Sequence, residues 1–202
     1  MAGLLAVVNA ASAADPATLA RSGAPGLAPC ASCHGQAGEG QASFPRLAGM
    51  DAAYLARQLN EFASGTRASP VMAPIAKALA PADRTALAQF YARMAPPVAA
   101  VAATSNPIGE RLALQGAWSK GVPACVQCHG PEGRGVGAAF PAIAGQSAGY
   151  ISSQLKAFRE GQRKNDPLQL MRSPASKLTD DEIEAVAQWF STRPVQRTGA
   201  TP

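Results

Sequence analysis

The strongest constraint on this chain is a motif that occurs twice, Cys-x-x-Cys-His. It stands as Cys30-Ala-Ser-Cys-His34 and again as Cys125-Val-Gln-Cys-His129. The 202 residues include four cysteines and two histidines in all, so every one of them belongs to one of the two motifs. Two thiols at this spacing can reach the two vinyl groups of one porphyrin, and the adjacent imidazole can bind the iron, which is why the motif marks covalent c-type haem attachment. The sequence therefore predicts two haem c groups, attached through Cys30, Cys33, Cys125 and Cys128, with His34 and His129 as iron ligands.

Other uses of these residues fit less well. A zinc site needs about four nitrogen or sulfur ligands, whereas each motif offers three, and a site shared between the motifs would leave ligands over. A thioredoxin-like Cys-x-x-Cys is expected near a βαβ pattern, and no β-rich run flanks either motif. A disulfide within each motif would not explain why histidine follows both times.

The motifs belong to a longer internal repeat. Phe44-Pro-Arg-Leu-Ala-Gly49 corresponds to Phe140-Pro-Ala-Ile-Ala-Gly145, and the pattern Tyr-x-x-x-Gln-Leu-x-x-Phe-x-x-Gly follows at Tyr54 and at Tyr150. A repeat of this length indicates two successive domains of one kind. We therefore divide the chain into a remnant signal peptide (1–14), a first domain (15–94), a linker (95–106), a second domain (107–195) and a flexible tail (196–202).

Helical periodicity runs through both repeats. Leu55, Leu59 and Phe62 lie on one face of a predicted helix that Gly65 ends, and the second repeat has the same spacing. Thr179 and Glu182 form a capping-box pattern, and Pro107 is expected to begin a further helix. No alternating strand pattern of useful length is present, so the fold class is predicted to be all-α.

Methionine is the leading candidate for the second axial ligand of each iron, because both histidines are already used. Met171 is the only methionine of the second repeat. In the first repeat Met72 has the matching position: like Met171 it stands seven residues before a leucine and is followed by a proline, whereas Met50 and Met94 have no methionine counterpart. His/Met ligation is an established arrangement in cytochromes c, so Met72 and Met171 are predicted as ligands.

Composition limits the remaining possibilities. The apolar stretch before Asp15, with small residues at its end, is typical of a secretory signal without its charged start. The formal net charge is +5, and no basic run with interleaved aromatic residues suggests nucleic acid. We interpret Arg159, Arg163 and Lys164 as a solvated helix end, with docking of an acidic partner as the alternative.

Together, the two haem motifs, the Phe-Pro-x-[Leu/Ile]-Ala-Gly segments, the tyrosine-containing helices and the late methionines resemble the two-haem cytochrome c4 family over nearly the whole mature chain. The resemblance implies tandem class I cytochrome c domains with His/Met ligation, in the bacterial periplasm, either free or associated with the membrane surface. It also implies that the haems face each other across the domain interface, and that Pro45 and Pro141 supply carbonyls to the proximal histidines. The first methionine loop departs from the second by being three residues shorter.

We expect an electron carrier and not an enzyme, since an iron with six ligands has no position for a substrate. Its partners would be a respiratory complex or dehydrogenase as donor and a terminal oxidase or reductase as acceptor. Two alternatives stay open at this point. The chain could be the cytochrome subunit of a larger complex, or a haem enzyme with one displaceable axial ligand.

Overall fold

The computed structural model describes residues 14–97 and 106–195. The predicted signal peptide apart from its last residue, the linker from 98 to 105 and the predicted tail lie outside the described residues. The proposed domain boundaries therefore stay predictions.

The described ranges are helical, as predicted. In place of strands they contain isolated antiparallel bridges only. Three short 3-10 turns, at Trp118–Lys120, Pro131–Gly133 and Pro167–Gln169, accompany the α-helices. These helices are α1 (Pro16–Ser22), α2 (Ala31–His34), α3 (Ala52–Ser64), α4 (Met72–Ala78), α5 (Pro81–Arg93), α6 (Pro107–Leu114), α7 (Cys125–His129), α8 (Ala148–Arg159), α9 (Arg172–Ala175) and α10 (Asp180–Ser191).

Local sequence explains where the longer helices begin and end. Asp51 caps α3 by accepting from the Tyr54 amide, which satisfies one of the free donors of the first turn. The left-handed Gly65 ends α3 as predicted. Thr179 and Glu182 form the predicted capping box of α10.

The same three-helix arrangement recurs in each repeat. In the first repeat α5 packs against α1 and α3, and in the second α10 packs against α6 and α8. Each set has its own apolar core. Large core side chains of the first include Leu19, Tyr54, Leu55, Leu87 and Tyr91, and those of the second include Leu112, Ile151, Ile183, Trp189 and Phe190.

The crossing of α6 and α10 depends on a glycine. A Cβ atom at Gly109 would clash with the carbonyl oxygen of Ala185 and lie 2.8 Å from the Cβ of Trp189. The missing side chain therefore lets the two helix backbones approach closely enough to enclose the second core.

Candidate functional site

The four cysteines lie on or beside the short helices α2 and α7 and line one cavity. They are half-buried, and no disulfide joins them. Burial raises the pKa of Cys30 and raises that of Cys125 to about 11. Reactive redox cysteines have lowered pKa values, so Cys30 and Cys125 have the opposite electrostatic character.

Both histidines are buried and oriented by a proline carbonyl. His34 is 6% exposed and His129 7% exposed. Nδ1 of His34 lies 2.8 Å from the Pro45 carbonyl oxygen, and Nδ1 of His129 lies 2.8 Å from that of Pro141. A carbonyl can only accept, so Nδ1 carries the proton and Nε2 keeps its lone pair for a metal. The expectation for Pro45 and Pro141 is confirmed. Burial lowers the pKa of both imidazoles, which favours the neutral, ligating form.

Each proline carbonyl is brought to its histidine by a glycine turn. Gly40 and Gly135 donate their amides to the carbonyls of His34 and His129, at 2.8 and 2.7 Å. Both glycines have positive φ, 77° and 88°. A Cβ at Gly40 would lie 2.5 Å from the amide nitrogen of Arg46. Glycine is thus required where the chain folds back onto the haem motif.

Both predicted methionine ligands line the same cavity as the histidines. Met72 is the first residue of α4, and Met171 immediately precedes α9. Met50 also lines the cavity, but its side chain belongs to the buried apolar cluster of the first repeat. Three methionines therefore line the cavity. Of these, Met72 and Met171 occupy matching positions in the two repeats.

The two methionine loops are held differently. The amide of Met72 donates to Oγ of Ser69 at 3.0 Å. In the longer second loop, the Asp166 carboxylate accepts from the amides of Met171 and Arg172, at 3.1 and 2.8 Å, and from Nε of Arg172 at 2.7 Å. Burial alone would raise the pKa of Asp166, but these donors outweigh it and the pKa is lowered.

The longer loop also contains backbone strain. Leu168 and Gln169 have φ values of 54° and 58°, a left-handed region that is unfavourable for residues with a side chain. Leu168 is 90% exposed. The longer second loop therefore contains two consecutive residues in left-handed backbone conformation, and Asp166 ties its start to Met171 and Arg172.

The cavity runs continuously between the repeats, with a volume of about 680 Å³. Apolar side chains from both cores form most of its wall, and the cysteines, histidines and methionines described above all face it. An apolar wall with thiols, a free imidazole nitrogen and a thioether in each half fits covalently attached haem. Among the described side chains, no group of three or more His, Cys, Asp or Glu is arranged to hold a separate metal ion.

A polar network crosses between the repeats at the cavity wall. Arg67 donates to Oε1 of Gln58 at 2.7 Å and, from the other repeat, to Oε1 of Gln154 at 2.7 Å and to the Tyr150 hydroxyl at 2.9 Å. Arg163 donates to the same two glutamine oxygens, at 2.7 Å for Gln154 and 3.2 Å for Gln58. The interpretation of Arg163 as part of a solvated helix end was wrong.

Aromatic packing holds both arginines in this network. The guanidinium of Arg67 lies 4.5 Å from the ring centroid of Phe62, and that of Arg163 lies 4.5 Å from the ring centroid of Phe158. Arg159 donates to Asp180 at the surface, and Lys164 is exposed, as predicted. Arg67 and Arg163 occupy matching positions of the repeat, which was the sequence signal for a shared role.

A second contact joins the segments that follow Phe44 and Phe140. The Arg46 amide donates to Oε1 of Gln146 at 2.7 Å, and Nε2 of Gln146 donates to the Arg46 carbonyl at 3.1 Å. Nη2 of Arg46 donates to the Ala144 carbonyl at 3.1 Å. Sequence reasoning did not single out Arg46 or Gln146. A sequence signal for Arg46 and Gln146 was available, because the two Phe-Pro-x-[Leu/Ile]-Ala-Gly-x segments carry different residues at these two positions.

Comparisons with known proteins agree over both repeats. The cytochrome c family model matches residues 27–94 and again residues 115–193. The thiosulfate dehydrogenase electron acceptor of Stutzerimonas stutzeri (strain A1501) is 48% identical over 180 residues, which cover 87% of this chain and 83% of the relative. Thiosulfate dehydrogenase (TsdBA) from Marichromatium purpuratum, in its as-isolated form, superposes with a TM-score of 0.84 at 41% identity, over 90% of this chain and 40% of that chain. Reduced recombinant cytochrome c4 from Pseudomonas stutzeri superposes with a TM-score of 0.77 at 33% identity, over 81% of this chain and 93% of that chain.

Proposed function

Because this chain belongs to the cytochrome c family, as a two-haem class I member of the cytochrome c4 group, we propose that it shuttles electrons in the periplasm between a dehydrogenase or respiratory donor and a terminal oxidase or reductase. It carries two covalently bound haem c groups. The observation that carries the proposal is the repeated pair of buried imidazoles, each with Nδ1 bonded to a proline carbonyl and Nε2 left free beside two thiols.

We assign the residues of each site as follows. Cys30 and Cys33 attach the first haem, and Cys125 and Cys128 attach the second. His34 and His129 are the proximal ligands, since their tautomer leaves Nε2 available. Met72 and Met171 are the distal ligands, because they line the cavity in both repeats at matching positions.

These residues favour a carrier over an enzyme. A bound haem supplies a one-electron couple at its iron. A thioether ligand stabilises the reduced state relative to a second imidazole, and an apolar wall disfavours the additional positive charge of the oxidised state. With His34 and Met72 holding one iron and His129 and Met171 the other, no ligand position would be left for a substrate.

The similarity to a thiosulfate dehydrogenase electron acceptor supports one donor in particular. We propose that a thiosulfate dehydrogenase, or a dehydrogenase of similar redox chemistry, reduces this protein. The second candidate is a permanent subunit of such an enzyme, which the match to 40% of the TsdBA chain favours. In the ranges 14–97 and 106–195, no helix has the length and apolarity needed to cross a bilayer.

Visible and near-infrared spectra of the oxidised holoprotein test the ligand assignment. Met72→Ala and Met171→Ala should each remove roughly half of the thioether-to-ferric-iron absorption, as expected for one methionine per haem. Met50→Leu is the matched control, because Met50 lines the same cavity, and it should leave the absorption unchanged. Loss of absorption in Met50→Leu would refute the assignment of Met72.

Two further measurements separate the functions. A carrier should bind carbon monoxide to neither haem of the reduced protein, whereas a haem enzyme with a displaceable ligand would bind it at one. Stopped-flow reduction by purified thiosulfate dehydrogenase with thiosulfate should be fast and second order for a free carrier. Co-purification in fixed stoichiometry would instead support the subunit, and the absence of any reduction would refute this donor.

A further inference from the structure

The exposed apolar side chains of this protein are concentrated in the second repeat. Within residues 14–97 and 106–195, seven large apolar side chains are exposed, and Val71 is the one that belongs to the first repeat. Single exposed apolar residues are normal on protein surfaces, so the uneven division between the repeats is the informative observation. Trp118, Leu168 and Leu170 lie in two segments of the second repeat that are shorter in the first.

The first of these segments is the Trp118 turn, residues 118–121. A backbone bridge between Ala117 and Val122 closes these four residues, whereas the corresponding bridge of the first repeat, Ala24 to Leu27, closes two. The longer turn carries Trp118, which is 63% exposed. Tryptophan is among the residues most enriched at the centres of protein–protein interfaces. The chain then continues directly into the second Cys-x-x-Cys-His motif.

The second segment is the Met171 loop, residues 162–170, which is three residues longer than its counterpart. Leu168 is 90% exposed and has a φ of 54°, so an unfavourable backbone conformation is not offset by burial of its side chain. Leu170, immediately before Met171, is 48% exposed. Backbone strain of this kind persists where function requires it, typically at ligand and partner sites.

The two segments meet outside the same part of the cavity wall. Lys177, which follows α9, donates from Nζ to the carbonyl of Gly121 in the Trp118 turn at 3.2 Å. The residues directly after the Trp118 turn line the cavity, as do Leu170 and Met171 of the other segment. Both segments therefore cover the second haem site from its outer side.

The charges on this surface indicate what can bind to it. Lys164 and Lys177 are exposed, and neither forms an ion pair with any residue that the structure describes. Between positions 161 and 179 the only acidic residue is Asp166, which is buried and paired with Arg172. This stretch thus combines exposed cations and apolar groups without an exposed carboxylate. A complementary protein surface has carboxylates around an apolar centre.

We propose that the Trp118 turn and the Met171 loop form the docking surface for the electron-donating dehydrogenase, which binds there through carboxylates around an apolar centre. One electron leaves the reduced dehydrogenase, and the ferric iron of the second-domain haem accepts it. The rate of such a transfer falls steeply with distance, and this surface is separated from the second site by the cavity wall alone. The inference rests on the proposed function, because it takes a dehydrogenase as the donor.

The test is stopped-flow reduction of the intact two-haem protein by purified thiosulfate dehydrogenase with thiosulfate. Trp118→Ala should lower the second-order rate constant roughly tenfold, as expected for truncation of a central interface side chain. Leu168→Asn should also lower it, and asparagine tolerates the left-handed backbone, so the loop keeps its conformation. Ile108→Ala is the matched control and should leave the rate constant unchanged. Ile108 is 46% exposed near the start of α6, whereas the Trp118 turn follows the end of that helix.

Salt dependence tests the charge of the partner. The rate constant of the wild type should fall with added salt, because attraction between exposed charges is screened. Lys177→Glu should lower the rate constant further and flatten its salt dependence. Lys77→Glu makes the same charge change on α4 of the first domain and should leave the salt dependence close to that of the wild type. A wild-type rate constant that does not depend on salt would overturn the acidic partner.

Reduction by dithionite and the thioether-to-ferric-iron absorption are measured for every variant. If Leu168→Asn displaces Met171, this absorption falls, and Trp118→Ala then decides the question because it leaves the Met171 loop intact. Wild-type rate constants in Trp118→Ala would overturn the inference and leave the carrier function intact. Equal slowing in Ile108→Ala would also overturn it, because the effect would not be confined to this surface. A wild-type protein that the dehydrogenase does not reduce would instead refute the proposed donor, and this docking partner with it.

Discussion

Asp166→Ala should loosen the Met171 loop without affecting Met72. The carboxylate accepts two amides and one guanidinium nitrogen, and each charged hydrogen bond contributes about 1.5–3 kcal/mol net. These bonds oppose the cost of Leu168 and Gln169 in left-handed backbone, about 1–2 kcal/mol for each residue. Allowing for solvent around the half-exposed Arg172, we expect a loss of about 3 kcal/mol of loop stability. This would make detachment of Met171 roughly a hundredfold more frequent.

The assay is a denaturant titration of the thioether-to-ferric-iron absorption. In the wild type the two halves of this signal should be lost at similar denaturant concentrations, whereas in Asp166→Ala the half that depends on Met171 should disappear first. Ser69→Ala is the matched control in the first loop, where one neutral hydrogen bond is lost, at about 1 kcal/mol. Leu168→Gly in the Asp166→Ala background should recover about 1 kcal/mol, because glycine relieves the strain. An Asp166→Ala protein whose signal is lost in one step at the wild-type midpoint would refute this account of the loop.

Three other perturbations address packing and charge. Gly109→Ala should destabilise the second domain by about 1–3 kcal/mol through overpacking. Gly65→Ala is the control, because a Cβ there meets no atom within 4 Å, and it should cost about 1 kcal/mol. Thermal unfolding followed by circular dichroism compares the two variants, and equal losses of stability would contradict the close crossing of α6 and α10. Hydrogen bonds from Lys120 and from the Thr179 amide lower the pKa of Glu182 below 4.5. The stability that the charged Glu182 adds to the fold is therefore present above pH 4.5 and is lost as the pH falls through the lowered pKa. Glu182→Gln should reduce the drop in unfolding free energy between neutral pH and acid, and an unchanged drop would count against a stabilising role for Glu182. Burial by itself would raise the pKa of Tyr150, but the neighbouring guanidinium groups of Arg67 and Arg163 outweigh burial and the pKa is lowered. Arg67→Gln should therefore raise the pKa of Tyr150, measured by ultraviolet titration of tyrosinate. A fall in this pKa would contradict the polar network between the repeats.

The local features of this protein could be read from its sequence because each depends on residues a few positions apart. Cysteine spacing determines which thiols can reach one porphyrin, and the adjacent histidine is placed by the same turn of helix. The capping box of Thr179 and the glycine that ends α3 are likewise contacts within one or two helical turns. The match between repeats extended the prediction to Met72 and Met171, since two copies of one fold place equivalent residues alike, and both side chains line the cavity.

Only the tertiary structure decided which charged side chains are buried between the repeats. Arg163 follows a helix in a polar stretch, and only the approach of Gln58 from the other repeat shows that it is half-buried between the repeats. Arg46 and Gln146 are 100 positions apart in the chain, and no local pattern encodes their contact. Burial and charge compensation depend on whatever surface meets a side chain from across the fold. The predicted attachment residues of the two haems therefore followed from the sequence, whereas the contacts of Arg46 and Arg163 across the repeats emerged from the packing of one repeat on the other.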